Sequence, residues 1–316
     1  MDEDFIIFKR AVQLDKIGGR GSGNFGHAGQ GNGEVGGSGE GGDKVTIRNS
    51  PDLKEGIKKD DKWIGQDGNP IKAPPQWKNV KYNPDPKGDI QLIGDDSKGR
   101  LQVKYSALHD EKAAIAKFNR IDELDKNINL ISKEIKSDIK NGSEEARVLS
   151  LIKDTGIRPG SENDTGAEKQ AYGATTLQGK HIFVDKDGEV TLKFVGKKGV
   201  DLKIPVGDMN VRDYLIERKN SIGNKDKVFN TDTKKLLEYS NNRDGGGFLT
   251  KDFRTWVGTT TAKETMSKYD DPVNAKQKKS FIKKIATEVS DKLGNTPVVA
   301  LQKYIDPRIF LKWSKI

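Results

Sequence analysis

The chain of 316 residues has no cysteine. Disulfides, thiolate metal sites and thiol nucleophiles are therefore excluded. Histidine is almost as scarce. His27, His109 and His181 stand far apart, and no two have the spacing of metal ligands. Neither a metal nor a cofactor is expected from such a set. No apolar run approaches the ~18–20 residues of a membrane-spanning helix. The start, Met1-Asp2-Glu3-Asp4, is acidic, and the apolar patch behind it is too short for a signal peptide. A reducing, cytoplasm-like compartment is the expectation. The sequons at Asn141 and Asn163 then carry no meaning.

What the chain has in excess is positive charge. Lys and Arg number 56 against 47 Asp and Glu, a net +9, with an isoelectric point near 9.3. The first 44 residues are acidic on balance, so the excess lies beyond them. That distribution suits a polyanion such as nucleic acid, and equally a basic soluble protein.

Composition divides the chain into three parts: a tail over 1–44, a β-rich domain over 45–110 and a larger domain over 111–316. Phe5, Ile6, Phe8, Val12 and Leu14 would form one face of a short amphipathic helix. Residues 18–42 then hold 13 glycines. Such a segment cannot bury enough surface to offset its chain entropy, and it reads as a flexible tether. Its formal GxGxxG match at Gly21–Gly26 has neither a strand before it nor a helix after it, so a dinucleotide site is not expected.

Between 45 and 110, turn signals such as Asp67-Gly68-Asn69-Pro70 alternate with the β-prone runs Val80–Tyr82, Ile90–Ile93 and Leu101–Tyr105. The last two flank a Gly/Asp/Ser/Lys loop and predict a hairpin. Helical spacing begins near 111, with Ala114, Ile115, Phe118, Ile121 and Leu124, and continues through Ile135 and then Val148–Ile152. Strands are expected at Ala174–Leu177, His181–Val184, Val190–Val195 and Val200–Ile204. From 208 the pattern is helical again, broken at Asn241–Gly247. The fold class is α+β: a small β-rich domain, then a mainly helical domain with a small sheet or hairpin.

Four segments offer chemistry. Thr155-Gly156-Ile157-Arg158-Pro159-Gly160 places an arginine just past an amphipathic helix, aimed into a cleft or paired with a carboxylate. Lys193–Val200 is a hairpin with Lys197 and Lys198 at its tip, suited to approach a phosphate or simply to be solvated. In Leu249-Thr250-Lys251-Asp252-Phe253-Arg254, Thr250 would cap a helix. Arg254 falls one turn in, its direction fixed by Phe253 and Trp256 on one face. Gly294 ends a helix, and Asn295-Thr296-Pro297 opens another. Tyr304 lies about two turns along, placed either as a phosphate-attacking nucleophile or as one more half-buried aromatic.

These segments, in this order, resemble the type IB DNA topoisomerases of the poxvirus and bacterial kind. Ile157-Arg158 resembles the family's first catalytic arginine, and Thr175-Thr176-Leu177-Gln178-Gly179-Lys180-His181-Ile182 the strand that follows it. Phe194-Val195-Gly196-Lys197 resembles the catalytic-lysine hairpin, and Lys251-Asp252-Phe253-Arg254-Thr255 the second-arginine motif. Gly294-Asn295-Thr296-Pro297 with Tyr304 resembles the nucleophile segment. Upstream, Trp77 to Pro86 and Asp96-Ser97-Lys98-Gly99-Arg100-Leu101-Gln102-Val103-Lys104-Tyr105 resemble the DNA-clamping β domain. Asn295 stands where the poxvirus enzymes have histidine, and Val103 where relatives often carry an aromatic.

The resemblance implies an isomerase that needs neither ATP nor metal and acts as a monomer closing around double-stranded DNA. Tyr304 would be the nucleophile, Arg158 and Arg254 the phosphate clamp, and Asn295 a hydrogen-bond donor that cannot titrate. Lys197 would be the general acid, with Lys198 its rival. Lys98, Arg100, Gln102, Tyr105, Lys198 and Lys251 would touch DNA. A tyrosine recombinase shares the tyrosine and the arginine pair but usually shows His-x-x-Arg where this chain has Lys251-Asp252-Phe253-Arg254. A non-catalytic DNA-binding protein of the same fold is the remaining alternative.

Overall fold

The computed structural model describes residues 44–162 and 169–314. The expectations placed on the tail, and on Asn163, fall outside these residues. The chain forms two compact units that meet in sequence between Ala116 and Lys117. Helices and three small antiparallel sheets make a mixed α and β architecture.

The first unit begins with a short helix, α1 (Lys44–Arg48). Seven strands follow: β1 (Lys54–Glu55), β2 (Ile57–Lys59), β3 (Lys62–Ile64), β4 (Pro70–Ile71), β5 (Lys78–Tyr82), β6 (Ile90–Asp95) and β7 (Leu101–Tyr105). One sheet has the order β1-β5-β6-β7, the other β2-β3-β4. The hairpin predicted from the turn residues is β6–β7, with Asp95 opposite Leu101 and Gly94 opposite Gln102. Both faces of the larger sheet are covered. Trp63, Trp77, Val80 and Leu92 pack on one, and Ile47, Ile93 and Leu101 on the other. Gly94 is required here, because a Cβ at that position would stand 2.6 Å from the Trp77 ring.

Helix α2 (Ala107–Lys140) contains the boundary and continues into the second unit. There follow α3 (Glu144–Thr155) and the sheet β8 (Ile182–Val184), β9 (Val190–Val195) and β10 (Asp201–Pro205), in the order β10-β9-β8. Helices α4 (Met209–Ser221), α5 (Thr233–Asn241), α6 (Thr250–Met266), α7 (Ala275–Leu293) and α8 (Pro297–Lys303) complete the unit, with a terminal 3-10 segment at Pro307–Trp313. One core gathers around Val148, Leu149, Leu151 and Ile152 of α3 and Leu192 of β9. A second joins α6, α7 and α8 through Val257, Ile285, Val289, Leu293 and Ala300. Each fully buried aliphatic side chain contributes roughly 1.5–3 kcal/mol, so these clusters fix the helices that carry the polar site. Among the described residues no helix is long and apolar enough to cross a membrane.

Three local expectations are corrected. Ala174–Thr176 is a 3-10 turn, not a strand. Its N–H groups are already used, since Ala174 and Thr175 donate to the carbonyls of Arg158 and Pro159 at 2.8 Å. His181 likewise closes a 3-10 turn, and its strand begins at Ile182. Thr250 does not cap α6. Leu249 is the N-cap, its N–H satisfied by the Asp252 carboxylate at 3.0 Å, while the Thr250 hydroxyl bonds Ser240.

Candidate active site

Helix α3 opens on Ser143, whose hydroxyl accepts from the N–H of Ala146, and closes on Gly156 in the left-handed region at φ 67°. A Cβ at Gly156 would come within 2.4 Å of Leu293, so glycine is needed for approach as well as for conformation. The chain turns there, buries Ile157 and presents Arg158. The backbone bonds from Ala174 and Thr175 hold that segment in place. From this anchored position Arg158 Nη1 donates to the Tyr304 hydroxyl at 2.7 Å.

Arg254 sits in the first turn of α6 and is only 4% exposed. Its guanidinium donates to the carbonyl of Gly156 and, at 2.7 Å, to that of Leu293. Those carbonyls lie at the C-terminal ends of α3 and α7, where helix dipoles favour a cation. The residues just beyond them, Arg158 and Asn295, carry the other polar groups of the site. Arg254 therefore ties two helix ends together while stacking on Tyr304, with 4.8 Å from its Cζ to the ring centroid. Burial pulls its pKa down to about 10, which leaves it protonated at neutral pH.

Tyr304 is the C-cap of α8, where the Thr296 cap and Pro297 at the helix start fix the register. Its backbone is held by α6. The Thr259 hydroxyl donates to the Tyr304 carbonyl at 3.1 Å and accepts from the Asp306 N–H at 3.2 Å. Burial would raise the phenol's pKa. The charges of Arg254 and Arg158, and hydrogen bonds from both, outweigh burial and hold it below the ordinary tyrosine value.

Asn295 follows Gly294, which ends α7 at φ 59°. Both amide atoms of Asn295, and Nε of Arg254, are buried without a partner among the described residues. Buried polar atoms are rarely left this way.

The lysines are placed differently. Lys197 and Lys198 lie in the exposed turn between β9 and β10, with Lys198 at φ 66°. Neither has a side-chain hydrogen bond or ion pair among the described residues. The hairpin is packed close to its tip: a Cβ on Gly294 would stand 2.2 Å from Leu202, the second residue of β10. The structure thus brings Arg158, Arg254 and Tyr304 together, sets Asn295 beside the Leu293 carbonyl that Arg254 holds, and leaves both lysines at the tip. Lys251 is exposed at the start of α6.

In the first unit, Arg100 immediately before β7 and Gln102 on one face of it both bond Asp96. Tyr105 falls on the other face by strand alternation and stacks on His109 at 4.3 Å. Lys98 is exposed in the β6–β7 turn.

A matching family model, described as eukaryotic DNA topoisomerase I, catalytic core, covers residues 105–309. The chain belongs to the type IB DNA topoisomerase family. It is 26% identical over 262 residues to DNA topoisomerase 1B of Acanthamoeba polyphaga mimivirus, covering 75% of this chain and 76% of that one. It is 26% identical over 222 residues to DNA topoisomerase I of monkeypox virus, covering 68% and 69%. With DNA topoisomerase 1B of vaccinia virus (strain Copenhagen) it shares 30% over 123 residues, or 38% and 39% of the two chains.

Within this topoisomerase fold, sequence reasoning missed the groups that hold the site from behind. Arg120 of α2 donates from Nε to the buried Asp252 at 3.1 Å. Asp125 accepts from Trp256 Nε1 at 2.7 Å, and Asp122 pairs with Arg308 at 2.6 Å. Lys117 donates to the Lys303 carbonyl at 3.1 Å. Residues 117–125 of α2 thus brace both α6 and the segment around Tyr304. Asp252 lies inside the Lys251–Thr255 segment, and Asp306-Pro307-Arg308 begins two residues after the tyrosine, so both were visible signals. Thr259 had none.

Proposed function

We propose that this chain relaxes supercoiled duplex DNA without ATP, through transient cleavage of one strand by Tyr304. The observation that carries the proposal is the 2.7 Å hydrogen bond from Arg158 to the Tyr304 hydroxyl, beside the buried Arg254. Tyr304 gives up its phenolic proton to solvent, and the phenolate oxygen attacks a DNA phosphorus. An Oη–P bond forms, the P–O5′ bond breaks, and a 3′-phosphotyrosyl linkage is left with a free 5′-hydroxyl. The released strand rotates, and the 5′-hydroxyl reverses the step. The phosphotyrosyl bond conserves the energy of the diester.

Magnitudes favour this division of labour. An ordinary tyrosine is about 0.1% phenolate at pH 7, a deficit of roughly 4 kcal/mol. The two arginines reduce that deficit by holding the pKa down. Once phosphate is bound they serve the non-bridging oxygens, where a removed donor typically costs ~10²–10³ in rate. The unpartnered amide of Asn295 suits one of those oxygens as a donor. The departing 5′-oxygen needs a proton. Lys197 is the donor on this reading, with Lys198 as its rival on the same turn.

The β-rich unit and the exposed lysines grip the DNA. Lys98, Arg100, Gln102, Tyr105, Lys198 and Lys251 are its contacts, mostly to phosphate, so affinity falls steeply with salt. The protein acts as a monomer on duplex DNA in a cytoplasm-like compartment.

The test is incubation with supercoiled plasmid in EDTA without ATP, beside Tyr304→Phe. Relaxation by the parent and none by the variant is the expected result. Relaxation by both would overturn the assignment of Tyr304.

A further inference from the structure

The turn between β6 and β7 is built around one carboxylate. Asp96 Oδ1 accepts the N–H groups of Lys98 at 2.9 Å and Arg100 at 3.0 Å, which folds the turn. Asp96 Oδ2 faces the other way and takes two side-chain donors, Arg100 Nε at 2.9 Å and Gln102 Nε2 at 3.1 Å. Arg100 Nη2 lies 2.7 Å from the same oxygen as its ion-pair partner. The pair is half-sequestered, the Asp96 side chain being 12% exposed and that of Arg100 22%. The guanidinium holds the Asp96 carboxyl below the usual carboxylate range against the opposing effect of burial.

The remaining valences follow from chemistry. Asp96 engages the Nε side of the guanidinium and leaves the forward pair of N–H groups on Nη1 and Nη2 free. It takes one amide hydrogen of Gln102 and leaves the other, together with the carbonyl oxygen. Two-point donation by arginine matches O6 and N7 of guanine. The donor and acceptor of a glutamine amide match N7 and N6 of adenine. An unbuttressed arginine samples many rotamers and meets a phosphate as readily as a base. A fixed one presents its fork in one direction.

We propose that Asp96 is a specificity-determining positioning residue, which orients Arg100 and Gln102 to read purine edges in the major groove. The proposal rests on the reading that this hairpin meets DNA. Asp96 itself touches neither DNA nor the reacting atoms. Its effect appears in where the enzyme cleaves, not in the chemistry at Tyr304.

The experiment maps covalent cleavage sites on plasmid DNA, trapped with detergent, for the full chain and for Asp96→Asn, Arg100→Ala, Arg100→Lys and Gln102→Ala. Asp96→Asn keeps an oxygen for the turn N–H groups and removes the charged acceptor. The expected result is a flattened distribution, the preference for the strongest sites falling about tenfold, with the salt dependence of binding unchanged. Arg100→Lys leaves the turn intact and removes the fork, so it must flatten the distribution too, even if Asp96→Asn fails to fold. If Arg100→Ala changes site choice while Asp96→Asn and Arg100→Lys keep the parent pattern, the buttress is overturned and the hairpin reading stands. If Arg100→Ala and Gln102→Ala alter neither site choice nor affinity, the hairpin does not meet DNA and both fail. Asp96→Asn that binds DNA more tightly with undiminished preference would make Asp96 a restraint on binding, which also overturns the proposal. So would a parent that cleaves without preference.

Discussion

Gly258 lies directly against Tyr304: a Cβ built on it would stand 2.7 Å from the Tyr304 carbonyl oxygen and 2.9 Å from the Tyr304 Cβ. The glycine sits mid-helix in α6, where alanine is intrinsically favoured by up to ~1 kcal/mol. Backbone cannot yield as a flexible side chain does, so Gly258→Ala must displace Tyr304. A misplacement near 1 Å costs about 10²-fold in rate. Single-turnover cleavage by Gly258→Ala should fall by about that factor while circular dichroism keeps its helical signal. Parental cleavage would show that the contact does not set the tyrosine's position.

Thr259 fixes the same residue through its hydroxyl. Thr259→Val keeps the shape and removes both bonds around the Tyr304 carbonyl, whereas Thr259→Ser keeps them. Cleavage and religation should both slow in the valine variant, by roughly tenfold or more, and recover in serine. Equal rates in both variants would assign Thr259 to packing alone.

The two arginines should separate when stability and activity are measured together. Arg158→Ala should lose ~10²–10³ in cleavage rate and keep its unfolding midpoint. Arg254→Ala should lose activity and also stability, because the buried carbonyls of Gly156 and Leu293 are left without donors, at roughly 1–3 kcal/mol each. Chemical denaturation of both variants checks this. Equal stabilities would mean that Arg254 does not hold the two helix ends.

The pH dependence has a definite sign. Attack requires the phenolate, so the cleavage rate should climb with pH and level off below 10, since the pKa of Tyr304 is held beneath its ordinary value. Arg158→Ala should move the levelling upward. Asn295 does not titrate, so its position contributes no break near 6.5. A full rate profile with such a break, lost on substitution of Asn295, would contradict its role.

His181 gives a stability prediction of the opposite origin. Burial, with Lys180 adding to it, depresses its pKa to about 4, and its Nδ1 accepts the Gln178 N–H at 3.0 Å. Below pH 6.5 the unfolded chain takes up a proton that the folded chain refuses. The stabilisation is therefore complete above 6.5 and lost between there and about 4, on the order of 3 kcal/mol. Urea midpoints across that window should fall less in His181→Gln than in the parent.

The elements that local chemistry defines were legible in the sequence. The Gly156 and Gly294 helix ends, the Thr296-Pro297 start and the β6–β7 and β9–β10 hairpins all follow from residues adjacent to them. So did the candidate set Arg158, Arg254 and Tyr304, though its closure depends on residues more than a hundred positions apart. What escaped was set by tertiary partners. Ala174–Leu177 has strand-forming residues but spends its N–H groups on Arg158 and Pro159. Thr259 acquires its role only through the Tyr304–Asp306 segment that folds against it. Thr250 lost the cap of α6 to Leu249, whose N–H the Asp252 carboxylate satisfies from within the helix, an outcome that spacing does not decide.

The placement of Lys197 has a consequence for safety. Arg158, Arg254 and Tyr304 are assembled by the fold, whereas Lys197, the proton donor proposed above, lies on an exposed turn. On the mechanism proposed above, a chain without DNA is primed but unarmed. The scissile bond would become labile only once the substrate brings the tip to the leaving oxygen. The same tip would then take back its proton when the strand returns, so one turn would time both the breaking and the healing of the duplex.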